Sequence, residues 1–195
     1  MARTSQNSSH KPLEEYVSGV ELQGGIYSNY PEVINNSITC NSLDVKGNVT
    51  VTGSFIGATA SVNSLTTNTT LTATDSGNVY LLDSATGVTV TLPTAAVGLT
   101  YTFVVQTSVT SNSYKITVGS SNGFLIGGLV EGASAGATDL FIGDGTTDIS
   151  VTMNGTTTGG LQGTRVTVTC VTTGLWEVSG TVIGSGTVAT PFATT

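Results

Sequence analysis

Between Leu43 and Phe55 the chain reads LDVKGNVTVTGSF, with Leu43, Val45, Gly47, Val49, Val51, Gly53 and Phe55 on odd positions and polar residues on every even one. Strand side chains alternate between two faces, so this stretch predicts an extended ribbon with one apolar side. Upstream, Ile38 and Cys40 carry the apolar phase on even positions, and the slip before Leu43 marks a bulge or turn near Asn41-Ser42. The alternation passes through Gly47 without losing phase, so a strand kinked at Gly47 and a hairpin at Lys46-Gly47-Asn48 both fit.

From Leu65 onward, short alternating runs recur between glycine-rich turns: Val79 to Leu82, Val88/Val90/Leu92, Tyr101/Phe103/Val105, Tyr114/Ile116/Val118 and Phe124 to Ile126. Leu140 to Ile142, Ile149/Val151/Met153, Val166/Val168/Cys170 and Trp176/Val178/Gly180/Val182 continue the series. Turn chemistry separates them, in DSATG before Val88, TSNS before Tyr114, GDGTTD before Ile149 and TTG before Leu175. Roughly eight to ten short strands with no helical period predict an all-β fold, an antiparallel β-sandwich or jelly-roll-like domain over residues 65–195. Residues 1–33 have no sustained period and read as an extended arm, while residues 34–64 form a β stem.

Composition supports the β reading. Only 9% of the 195 residues are charged, and Thr, Ser, Val and 25 glycines dominate, so strand formers are abundant and helix formers scarce. Twelve acids against five bases give a net charge of -7. A phosphate backbone needs clustered Lys and Arg, so nucleic acid is not expected as a partner. No run of about 18 apolar residues predicts a membrane span, and the polar first twenty residues, with Glu14 and Glu15, do not read as a Sec signal. Synthesis in the cytoplasm is the expectation. Cys40 and Cys170 lack zinc-site spacing and are expected free.

Candidate chemistry is sparse. The single histidine, His10, lies in the arm, where no triad can be built on it. No metalloprotease, phosphate-loop or dinucleotide motif occurs, so neither enzymatic activity nor a cofactor is expected. Asp144 and Asp148 in GDGTTD, with Asp139 nearby in sequence, could supply oxygens to calcium, but the same residues also suit an ordinary turn. Trp176 alternates with Val178 and Gly180, which places its indole in a core; Tyr80, Tyr101 and Tyr114 sit in strand patterns and are expected to pack there.

Energy then constrains the ribbon. Burying Leu43, Val45, Val49, Val51 and Phe55 contributes roughly 1.5–3 kcal/mol each, whereas ordering each backbone residue costs about 1–2 kcal/mol. The ribbon must add to a sheet or meet copies of itself. Glycines at 47 and 53 with small β-branched residues between favour close approach of three chains, so these five apolar residues are the expected trimer interface. An edge strand of the C-terminal domain is the alternative.

SLDVKGNVTVTGSF resembles the stem segments of tailed-bacteriophage fibres and head appendages. The block from LTATDSGNVYLLDSATGVTVTLPTAAVGLTYTFVVQ to GLWEVSGTV is similar to the C-terminal β domains of phage virion appendages, so the likeness spans most of residues 42–183. The resemblance implies a structural virion protein on the capsid exterior: a homotrimeric capsid decoration (cement) protein or head fibre. The arm would bind the major capsid protein of the same virus through Leu13, Tyr16, Val20, Leu22, Ile26, Tyr27 and Tyr30. The alternative is a head or tail fibre module that binds host-surface glycan, which predicts exposed aromatics such as Phe124 or Phe192 on the head.

Overall fold

A computed structural model describes residues 60–119, 123–134 and 136–195, all within one compact unit, Ile56–Thr195. The unit is nearly all β: β1 (Val62–Leu65), β2 (Thr69–Thr70), β3 (Val79–Asp83), β4 (Thr89–Thr91), β5 (Thr100–Thr107) and β6 (Tyr114–Thr117) come first. They are followed by β7 (Phe124–Ala133), β8 (Thr138–Asp144), β9 (Ser150–Met153), β10 (Arg165–Thr172), β11 (Leu175–Gly184) and β12 (Phe192–Ala193). The only helical element among the described residues is a single 3-10 turn, Ala73–Asp75. Val62–Leu65 straddles the boundary expected between stem and head, and its pairing with β3 puts it in the head sheet.

Two sheets form, one in the order β1-β3-β5-β10-β11-β7-β8 and one in the order β12-β9-β6-β4-β2. An antiparallel, jelly-roll-like head was the expectation, and the sheets correct it: both are mixed. β1, β3 and β5 run parallel, with Val62 opposite Val79 and Val79 opposite Thr102. β2, β4 and β6 do the same in the other sheet, with Thr69 opposite Val90 and Val90 opposite Ile116. β7 and β11 are also parallel. Parallel neighbours require a crossover, usually a helix. Here the crossover is a strand of the opposite sheet, because the chain alternates between sheets from β1 to β6. Each pass buries one apolar face, so no helix is needed to cover the sheet.

The inward side chains of both sheets make one core. Tyr80, Leu82, Tyr101, Phe103, Val168, Trp176, Val178, Leu125 and Leu129 come from the larger sheet, and Val90, Tyr114, Ile116, Val151 and Met153 from the smaller. Trp176 is fully buried and tilts against Tyr101 at 6.1 Å between ring centroids. Tyr114 ties the sheets together through its polar end: its hydroxyl accepts from the Ser84 amide (2.7 Å) and lies within donating reach of the Thr107 (2.8 Å) and Leu82 (3.1 Å) carbonyls. A tyrosine buried to its tip needs such partners. Cys170 is a free, buried thiol.

Candidate interaction surface

The larger sheet hides one face in the core and turns the other outward. Because β10, β11, β7 and β8 lie side by side in known register, their outward residues fall into rows. One row is Thr169, Glu177, Ile126 and Asp144; the next is Thr167, Ser179, Gly128 and Ile142; the third is Arg165, Thr181, Val130 and Leu140; the last holds Ile183, Gly132 and Thr138. The inward partners, Val166, Val168, Trp176, Val178, Leu125 and Leu129, are buried.

The result is a face with charge only around its periphery and apolar side chains in the open on β7 and β8. Val130 is 42% exposed, Leu140 55% and Ile142 69%. The Leu140 side chain reaches over β7, its Cδ1 only 3.1 Å from where a Cβ on Gly128 would sit, so the missing side chain at Gly128 leaves room for it. Farther along the same face, threonines pair across β5 and β10, Thr100 with Thr169 and Thr102 with Thr167, each at 3.2 Å between hydroxyls. These pairs satisfy the hydroxyls within the sheet.

β8 is also an open edge. Its even-numbered amides point away from β7, since the odd residues Asp139, Phe141 and Gly143 oppose Glu131, Leu129 and Gly127 in the bonded pairs. Two of these outward amides are already taken, Leu140 N–H by Asp139 Oδ1 (2.8 Å) and Asp144 N–H by Asp148 Oδ2 (3.0 Å). Side chains that occupy edge donors discourage an incoming strand. The apolar face of the hairpin, rather than its edge, is the free surface.

The acidic turn is self-contained. Asp144 Oδ1 accepts from the amides of Thr146 (2.8 Å), Thr147 (2.8 Å) and Asp148 (3.1 Å), and Oδ2 from the Thr147 hydroxyl. The Thr147 hydroxyl, with these amides, holds the Asp144 carboxyl well below the usual carboxylate range. Four donors occupy the lone pairs that a cation would need. Among the described residues no group of three or more His, Cys, Asp or Glu is placed to hold a metal.

Among the described residues, Glu131 is the one buried carboxylate. It is fully enclosed, and neither oxygen has a hydrogen-bond partner among the described residues. A Cβ on Gly184 would meet its Oε1 at 2.8 Å, so the group fills the space left by that glycine. Burial pushes its carboxyl up; the nearby Gly159 and Ala189 amides, too poorly placed to make true hydrogen bonds to it, oppose the shift only in part.

Of the residues singled out in the sequence, Tyr80, Tyr101, Tyr114 and Trp176 are core, as their alternation implied. Phe192 is buried and Phe124 is 39% exposed. The trimer residues Leu43, Val45, Val49, Val51 and Phe55, the arm residues Leu13, Tyr16, Val20, Leu22, Ile26, Tyr27 and Tyr30, and Cys40 lie outside the described residues. Val130, Leu140, Ile142, Arg165 and Glu131 were not singled out. DLFIGD offers three apolar residues in a row and hence two phases; Phe141 packs against the core and sends Leu140 and Ile142 outward. No helix among the described residues is long and apolar enough to cross a membrane. No protein-family model matches the chain, and neither a curated protein nor a solved structure is significantly similar to it.

Proposed function

We propose that the chain is a structural protein of a tailed-bacteriophage virion, a homotrimeric capsid decoration (cement) protein that works without catalysis or cofactor. Residues 1–33 bind the major capsid protein, residues 34–64 join three chains, and the β-sandwich head projects outward from the capsid. The observation that carries the reading is the unbroken alternation from Leu43 to Phe55, an apolar edge too long to be left in water and too thin to fold alone. The likeness of this phrase and of the head sequence to phage appendages supplies the viral context.

Mechanically, an arm that lends strands or aromatic anchors to neighbouring capsid subunits ties those subunits together. Three arms on one assembly bind with avidity, so none has to be strong alone. A chain with 9% charged residues suits permanent residence in a larger assembly.

Deleting residues 1–33 is expected to leave a folded trimer that no longer decorates purified capsids in a co-sedimentation assay. Decoration by the truncated protein at full occupancy would move the attachment to the head. A second reading, a fibre module for host-surface glycan, is favoured by half-exposed Phe124 beside Gly123. Sugar binding by the full chain on a glycan array, abolished by Phe124→Ala, would establish it.

A further inference from the structure

We propose that the outward face of β10–β11–β7–β8 binds the same face of a second copy of the chain, with the strands of the two copies antiparallel. This contact goes beyond the trimer of the proposed function and does not depend on it.

Three observations choose the occupant. The β7–β8 half of the face is apolar, with Val130, Leu140 and Ile142 exposed and Gly128 leaving room beneath Leu140, while the β10–β11 half carries threonine, Ser179, Glu177 and Arg165. Isolated apolar residues on a surface are ordinary, but a contiguous group on an edge hairpin marks a contact. Its size is right for self-association. Four strands about 4.8 Å apart and about 30 Å long present about 500–600 Å² per copy, or about 1,000–1,200 Å² for a pair, the threshold of a specific interface.

Charge then sets the arrangement. Glu177 and Asp144 mark one end of the face, while exposed Arg165 stands two rows away toward the other. Antiparallel stacking turns Arg165 of each copy toward Glu177 of the other and keeps the acidic ends apart, the self-complementary pattern of a two-fold contact. Three copies turning this face to one axis with parallel strands would gather every Glu177 and Asp144 at one end, where like charges repel. The β8 edge, with its Leu140 and Asp144 amides held by side chains, disfavours the competing arrangement, a sheet continued from copy to copy.

The test is sedimentation equilibrium on the full chain from micromolar to near-millimolar concentration. Two copies, or six if the trimer also forms, are expected. Leu140→Thr/Ile142→Thr should halve that number or raise the dissociation constant about tenfold or more, a loss of about 1.4 kcal/mol. Arg165→Glu should weaken the pair to a similar degree, and Arg165→Glu/Glu177→Arg should restore it. Fluorescence of buried Trp176 checks that each variant folds; should the Thr pair unfold, Arg165→Glu and its rescue decide. One or three copies at the highest concentration overturn the proposal, and three would leave the trimer standing. Two copies support the proposal and sink the trimer. If the Thr pair lowers stability without changing the mass, the face is covered by the protein's own chain, and the proposal fails.

Discussion

Glu131 is the residue at which the fold departs from what its chemistry prefers. A buried carboxylate without a partner costs free energy in its charged form, and the raised pKa expresses that cost. The sign follows from linkage. Below the carboxyl's ordinary pKa, near 4.5, folded and unfolded chains both hold the proton and Glu131 exacts no penalty. As pH rises through the window between that value and the higher folded one, the unfolded state ionises first and stability is lost. Glu131→Gln is therefore expected to match the wild type at pH 4 and to be more stable at pH 7 by about 1–3 kcal/mol, the usual cost of an unsatisfied buried polar group. Urea unfolding at the two pH values checks this. Equal stabilities at pH 7 would mean that the carboxylate finds a partner after all.

Among the elements, the parallel junction of β7 with β11 has little slack. Gly127 sits at φ +101, and a Cβ there would lie 2.3 Å from the Val178 carbonyl oxygen of the neighbouring strand. No side chain at that position fits without prising β7 from β11. Gly127→Ala should cost about 3 kcal/mol or more, combining backbone strain with a broken ladder, read as a lowered urea midpoint; a loss below about 1 kcal/mol would show that the strands can part cheaply. Such a constraint was partly legible beforehand. The runs around Tyr101, Tyr114, Val166 and Trp176 announced strands because their apolar residues alternate, and each is a strand. Partnership was not legible, since period two is the same for parallel and antiparallel neighbours. Nothing in VYLLD or TVT says that β3 and β4 lie in different sheets. β2 and β12, at two residues each, are too short to leave a pattern. The outward apolar face escaped for a similar reason: three apolar residues in succession allow either phase, and only packing of Phe141 selects one.

At the scale of the whole molecule, the alternation of successive strands between two sheets makes the head depend on its first strand. β1 closes one edge of the larger sheet through its parallel ladder with β3, and its last residue, Leu65, is buried in the common core. A parallel edge strand reached through the other sheet can form only after β3 is in place, so its contribution is cooperative with the whole. The chain's single tryptophan, Trp176, sits at the centre of that core, so its fluorescence reports the head and nothing else. A fragment of residues 56–195 is expected to unfold with the same urea midpoint as the head of the full chain. A fragment of residues 67–195 loses Leu65, worth about 2 kcal/mol of burial, and exposes the amide row of β3, each freed backbone pairing adding about 0.5–1.5 kcal/mol. It should be less stable by about 3–5 kcal/mol in all, with a lower midpoint by Trp176 fluorescence. If the two fragments unfold alike, β1 is an ornament on a head that begins at β2, and the stem would run up to Leu65, as the sequence alone suggests. If the shorter fragment is weaker by the expected margin, the last residues before Leu65 belong to the head's own stability, and the trimer-forming stem that we propose must lie upstream of Val62.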